Sequence, residues 1–114
     1  MPSKSNRTQI LKDAWIGDAV LTLYARRRIL SEDDRIDAAR VEQMTSNQFL
    51  TAFGEASETE ARIGVIYSRD GLEAAFAWIE TNLMPIYERQ EANRRKRAPA
   101  GIGPRRRRAD AVYK

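Results

Sequence analysis

The sequence predicts an all-α domain, and three observations lead to that fold class. Apolar and small residues recur at three- and four-residue spacings over most of residues 10–93, which is the period of an α-helix. No segment shows the strict alternation of apolar and polar residues that a half-buried strand requires. At 114 residues with 42% hydrophobic content, the chain is long enough for one small core and too short for two.

The first helix carries the clearest pattern. Its apolar and small positions follow one face of a helix over residues 8–30, namely Ile10, Ala14, Gly17, Leu21 and Ala25. Further apolar residues surround that face, so we expect this helix to lie at the centre of the domain. A glycine inside a helix costs about 0.8–1.0 kcal/mol relative to alanine. Gly17 therefore predicts that another backbone or a ligand comes close.

Further helical segments are predicted over residues 32–44, 48–53, 57–69 and 72–97. Ser31 and Asp34 resemble a capping box that would start the second helix, and residues 45–47 interrupt it. Pro85 predicts a kink or a restart within the last helix. Beyond Arg97 the chain contains proline, glycine and clustered arginine without an apolar period, so we expect a disordered arm there.

The net charge of +4 divides into two parts of opposite sign. Residues 94–114 contain nine basic residues and one acidic residue, a sum of +8, which leaves 11 basic and 15 acidic residues, a sum of −4, in residues 1–93. We therefore divide the chain into a helical domain, residues 1–93, and a basic arm, residues 94–114. The arm's two clusters are expected to bind RNA phosphates: Arg94, Arg95, Lys96, Arg97, Arg105, Arg106, Arg107 and Arg108. The alternative is a solubilising tail.

The chain has no cysteine and no histidine. These absences exclude zinc fingers, thiol or serine–histidine hydrolases and histidine general bases, and they leave oxygen ligands such as those of Mg²⁺, Mn²⁺ or Ca²⁺ for any metal. The longest apolar run, residues 74–79, is too short to span a membrane. We expect a soluble, cytoplasmic protein without a membrane partner.

Two carboxylates are the candidate site residues, and each has a simpler explanation. Asp18 directly follows Gly17 at the edge of the apolar face, where it either points to solvent or meets a partner. Glu60 lies three residues after Ser57, so the two residues could form a capping box at the start of the third helix. The residue pattern alone leaves both alternatives open.

Three segments, in order, resemble the ribonuclease III catalytic domain. They are DAWIGDAVL at 13–21, VEQMTSNQFL at 41–50 and ETEARIGVIYSRDGLEAAFAWI at 58–79, and they fall within residues 10–83. The first is similar to the family's signature helix, and its AWIGDAV core is most similar to mini-ribonuclease III, which lacks a double-stranded-RNA-binding domain. The resemblance implies a shortened ribonuclease III-like helical endonuclease domain.

This resemblance also implies a function. Members of the family are homodimers that cut double-stranded RNA with Mg²⁺ or Mn²⁺ and leave 5′-phosphate and 3′-hydroxyl ends. Asp18 and Glu60 match the family's metal ligands and are our expected catalytic and metal-binding residues. Two carboxylates about 4 Å apart repel by roughly 4 kcal/mol at an effective dielectric of 20, so a site that gathers them favours a cation. A role in ribosomal RNA maturation would fit this activity.

The chain departs from the family at several positions. Ala14 and Ser57 stand where larger members have carboxylates, Arg62 replaces an apolar residue, and the 41 residues between Asp18 and Glu60 are over twenty fewer than usual. One alternative is therefore a non-catalytic ribonuclease III fold that binds structured RNA in a ribonucleoprotein. Another is a helical DNA-binding or adaptor protein, which would be favoured if Asp18 and Glu60 lay on opposite faces.

Aromatic residues are the candidates for a dimer interface. They are Trp15, Tyr24 and Trp78. The alternative for each is an ordinary place in the core.

Overall fold

The structure, a computed structural model, describes residues 4–97. It contains six α-helices: α1 (Lys4–Asp33), α2 (Ala38–Thr45), α3 (Asn47–Thr51), α4 (Ala56–Asp70), α5 (Leu72–Asn82) and α6 (Met84–Arg97). No strand occurs between residues 4 and 97. The all-α fold class is therefore confirmed.

The first helix is longer than predicted, and the expected helix start at Ser31 is wrong. Ser31 lies inside α1, where its hydroxyl donates to the carbonyl of Arg28 at 2.8 Å. The helix continues to Asp33 and ends where Asp34 adopts a left-handed conformation, with φ of 56°. Asp37 then caps α2, since its carboxylate accepts from the amide of Arg40 at 3.1 Å.

The predicted breaks after α2 and near Pro85 are confirmed. Ser46 separates α2 from α3, and its hydroxyl caps α3 by accepting from the amide of Phe49 at 3.1 Å. A break at Leu83 separates α5 from α6, so Pro85 falls at the second residue of a new helix. Proline is tolerated there because the first turn of a helix has no intrahelical partner for its amides.

The core lies around the middle and C-terminal half of α1, which contacts α2, α4 and α5. The largest fully buried side chains come from every helix except α6: Leu21, Ile29, Met44, Phe49, Leu50, Ile63, Ile79 and Leu83, the last at the α5–α6 break. Tyr24 and Tyr87 add edge-to-face ring contacts with Phe76 and Phe49. The predicted central position of the first helix is confirmed, and Tyr24 is a core residue.

One face of α1 nevertheless remains uncovered, contrary to the expectation of burial on most sides. Leu11, Trp15 and Leu23 are 47%, 80% and 37% exposed, and they recur at multiples of four residues along that face. Trp78, in contrast, is half-buried against the ring of Phe53. Among the three aromatic candidates for an interface, only Trp15 is presented to solvent.

Polar contacts hold α6 against the body beyond Tyr87. Glu88 accepts from Arg28 at 3.0 Å, Arg40 donates to the Tyr87 hydroxyl at 3.3 Å, and Arg94 donates to Gln43 at 3.3 Å. The helix runs to Arg97, so the first basic cluster forms its last turn. Residues 98–114, including Arg105 to Arg108, lie outside the described part of the chain. No helix within residues 4–97 is long and apolar enough to cross a membrane.

Candidate active site

The helices α1 and α4 touch backbone to backbone at two glycines. A Cβ atom on Gly17 would overlap the carbonyl oxygen of Glu60 and lie 2.9 Å from the amide nitrogen of Gly64. A Cβ atom on Gly64 would overlap the carbonyl oxygen of Asp13. Because Gly17 meets Glu60 while Gly64 meets Asp13, the two helices run in opposite directions. The predicted close approach of another backbone at Gly17 is confirmed, and Gly64 lies opposite it on α4.

This crossing brings Asp18 and Glu60 together. Asp18 follows Gly17 on an exposed part of α1, and Glu60 is half-buried on α4. Their carboxyl groups lie close enough to interact, and Asp18 raises the pKa of Glu60 by hydrogen bonding and by its negative charge. The placement on opposite faces that would have favoured a DNA-binding or adaptor protein is therefore not observed.

The pKa of Glu60 is raised from 4.5 to about 7. Burial is the largest cause, because it disfavours the charged carboxylate, and the hydrogen bond with Asp18 is the second. The negative charges of Asp18 and then Glu55 raise the pKa further. A carboxyl that titrates near neutrality beside another carboxylate is typical of a functional site.

The capping explanation for Glu60 is wrong. Helix α4 begins after Glu55, whose carboxylate accepts from the amide of Glu58 at 2.8 Å and so serves as the cap. Ser57 lies inside the helix, and Glu60 instead contacts Asp18. The sequence analysis did not identify Glu55, which caps α4 and also raises the pKa of Glu60. Its position directly after Gly54 could have indicated the start of a helix.

The two carboxylates fit a hard divalent cation. Mg²⁺ is commonly held by one or two protein carboxylates while waters and substrate phosphates complete its shell. No group of three or more potential ligands occurs within the described residues. Asp13 is occupied by Gln9, whose amide donates to it at 3.1 Å, and Glu58 lies two residues from Glu60, on nearly the opposite side of α4. Asp18 and Glu60 would therefore hold the ion with waters.

Arg62 does not enter the site. It is exposed and follows Glu60 by two residues, so the side chains project about 200° apart around α4. The departure from the family at this position consequently leaves the carboxylate pair undisturbed.

The basic residues of α6 lie apart from the carboxylates. Helix α6 meets α1 at Arg28, ten residues or about 15 Å along α1 from Asp18. Arg94 and Arg95 pair with Glu91 at 2.6 and 3.8 Å, and Lys96 is exposed. The basic end of α6 lies beside α2, where Arg94 donates to Gln43 at 3.3 Å.

The chain was compared with protein-family models, curated proteins and solved structures. The chain matches no family model, no curated protein and no solved structure.

Proposed function

We propose that the protein is a metal-dependent endoribonuclease that cleaves double-stranded or structured RNA, in the manner of mini-ribonuclease III. The observation that carries the proposal is the contact between Asp18 and Glu60 at the Gly17–Gly64 crossing. These four residues belong to the two segments with the clearest resemblance to that family.

The two carboxylates would act by binding a divalent cation when Glu60 is deprotonated. Asp18 and Glu60 would bind Mg²⁺ or Mn²⁺ once Glu60 is deprotonated. A bound divalent cation supplies a water of lowered pKa and offsets negative charge on the scissile phosphate. Because the pKa of Glu60 is about 7, the pair is ready for metal above neutral pH.

A homodimer is part of the proposal, supported by the uncovered face of α1. Trp15 at 80% exposure, with Leu11 and Leu23 on the same side, is a large apolar surface for a small soluble chain. A second copy of α1 would cover this face with identical residues, as a two-fold interface requires. Asp18 lies one turn from Trp15, so both carboxylate pairs would lie near the interface.

Contacts to RNA are assigned to the basic residues beyond the carboxylates. Arg94 to Arg97 close α6, and Arg105 to Arg108 follow in the arm. Arginine clusters bind phosphates by releasing counterions and carry little base information. We therefore propose a substrate chosen by its helical shape.

Charge-removing variants test the catalytic assignment. Asp18→Asn and Glu60→Gln are each expected to abolish Mg²⁺-dependent cleavage of long double-stranded RNA while the helical circular dichroism signal persists. Glu58→Gln is the matched control, because it removes one charge from the exposed side of the same helix. Cleavage that survives in either site variant at the level of the Glu58→Gln protein would exclude Asp18 and Glu60 as the catalytic pair.

The second candidate function is non-catalytic binding of structured RNA within a ribonucleoprotein. One observation favours it: only two carboxylates meet within the described residues, and Ser57 stands where larger enzymes have a further one. A parent protein that binds structured RNA but cuts it in neither Mg²⁺ nor Mn²⁺ would establish this second function in place of the first.

A further inference from the structure

An apolar groove runs between the C-terminal half of α1 and helix α2. Its volume is about 610 Å³. Ile29 lies at its base, and Val41 forms the half-buried wall on α2. Leu30 and Ile36 stand over it with 45% and 72% of their surfaces exposed. Two large aliphatic side chains beside an open groove mark a place where another apolar residue can dock.

The groove has a negative rim. Asp37 and Glu42 line it together with one basic residue, Arg26. The charged residues of the lining therefore sum to −1. A complementary occupant therefore has an apolar residue flanked by positive charge.

We propose that this occupant is the chain's own C-terminal segment, with Ile102 in the groove. Ile102 lies outside the described residues, and it is the single large aliphatic residue between the clusters at 94–97 and 105–108. Four basic residues precede it and four arginines follow it within a few positions. This arrangement matches the apolar floor and the acidic rim together.

The end of α6 is close enough for this docking. Arg94 contacts Gln43 on α2, the same helix whose Val41 and Glu42 line the groove. Five extended residues from Arg97 to Ile102 reach about 17 Å. A helix with its side chains is about 10–12 Å across, so the segment can pass over α2 and enter the groove. A tether this short gives an effective concentration in the millimolar range.

Docking would also bring the second arginine cluster near Asp37 and Glu42 on the rim of the groove. The arginines at 105–108 could then bind either the acidic rim of the groove or the phosphates of a nucleic acid. Salt would weaken both contacts. The docking requires only the groove and the segment, so it holds whether or not the protein is a nuclease.

Disulfide trapping in the full chain tests the proposal, since the protein has no cysteine of its own. Ala38→Cys lines the groove and Gly103→Cys neighbours Ile102, so both apolar residues stay in place. The control pairs Gly103→Cys with Gln48→Cys, because Gln48 is exposed and borders Arg94 beside the end of α6. We expect oxidation to join positions 38 and 103 within one chain at least tenfold faster than positions 48 and 103.

A second substitution separates docking from mere proximity. Ile102→Ser or Ile36→Ser, added to the 38/103 pair, is expected to lower the rate to that of the 48/103 control, and Ile36 is exposed enough for its replacement to leave the fold intact. Equal rates for the two pairs, or a 38/103 rate that neither serine variant changes, would overturn the proposal. So would disulfides that form mainly between chains at micromolar protein, which would assign the groove to a second copy.

Discussion

Replacing Glu60 by glutamine is expected to remove a pH dependence of stability that the parent protein shows between pH 5 and pH 8. The pKa of Glu60 is about 7 in the folded chain, against an ordinary value of 4.5. The folded state therefore binds this proton more tightly than the unfolded state. The resulting stabilisation is complete below about pH 4.5 and is lost as the pH rises through 7.

The magnitude follows from the burial of the pair. Glu60 is only half-buried, so solvent screens its interaction with Asp18, and we expect a loss of about 1–2 kcal/mol in the free energy of unfolding. In a domain of this size that corresponds to a decrease of roughly 4–16 °C in the melting temperature. The absence of histidine and cysteine removes the side chains that ordinarily titrate in this window.

Urea denaturation in EDTA at the two pH values provides the measurement. The parent and Glu58→Gln proteins should both lose stability towards pH 8, and Glu60→Gln should lose much less. Asp18→Asn should fall between them, because the burial of Glu60, the largest cause of its raised pKa, remains. Mg²⁺ added at pH 8, at ten times its dissociation constant, should return about 1.4 kcal/mol to the parent and nothing to the two site variants. A parent protein whose stability is flat from pH 5 to pH 8 would refute the raised pKa of Glu60, and an Asp18→Asn protein with the full pH dependence of the parent would refute the contribution of Asp18 to it.

Three further predictions concern the crossing, the arm and the uncovered face of α1. Gly17→Leu should lower the free energy of unfolding by about 3 kcal/mol or more through overpacking, whereas Ala77→Leu on the exposed side of α5 should not, and thermal melts of the two variants decide this. Deleting residues 98–114 removes a net charge of +4. The slope of log affinity for RNA against log salt should become shallower by about 0.9 for each phosphate that these residues neutralise. An unchanged slope would exclude phosphate binding by the arm. Trp15→Glu should halve the mass seen by sedimentation while Glu73→Lys on the exposed side of α5 leaves it unchanged. A parent protein that sediments as a monomer would contradict the dimer.

Helix periodicity was sufficient to predict which stretches of the chain are helical but not where each helix begins. The Ser31 pattern resembled a cap, yet α1 continues because its burial through Ile29 extends the helix past that serine. The caps observed in the structure are Asp37 and Glu55, and each accepts one hydrogen bond from a backbone amide. Several neighbouring polar residues in the sequence have side chains that could make the same bond. The spacing of apolar residues therefore identifies a helix, whereas the polar residues around its ends do not fix the residue at which it begins.

The glycines predicted the site better than the carboxylates did. Glycine destabilises a helix interior relative to alanine, so Gly17 and Gly64 could be expected to mark close backbone packing. Which charges that packing would join depended on the family resemblance. The exposure of Trp15 could not be predicted, because periodicity shows that a face is apolar without showing whether anything covers it.

The glycine crossing has a genetic consequence. Where side chains set the spacing of two helices, an enlarged residue on one helix can be compensated by a smaller residue on the other. At Gly17 the opposing atoms are the backbone of Glu60 and Gly64, so there is no side chain left to reduce. A selection for second-site suppressors of Gly17→Ala should therefore yield true revertants to glycine in preference to compensating changes on α4.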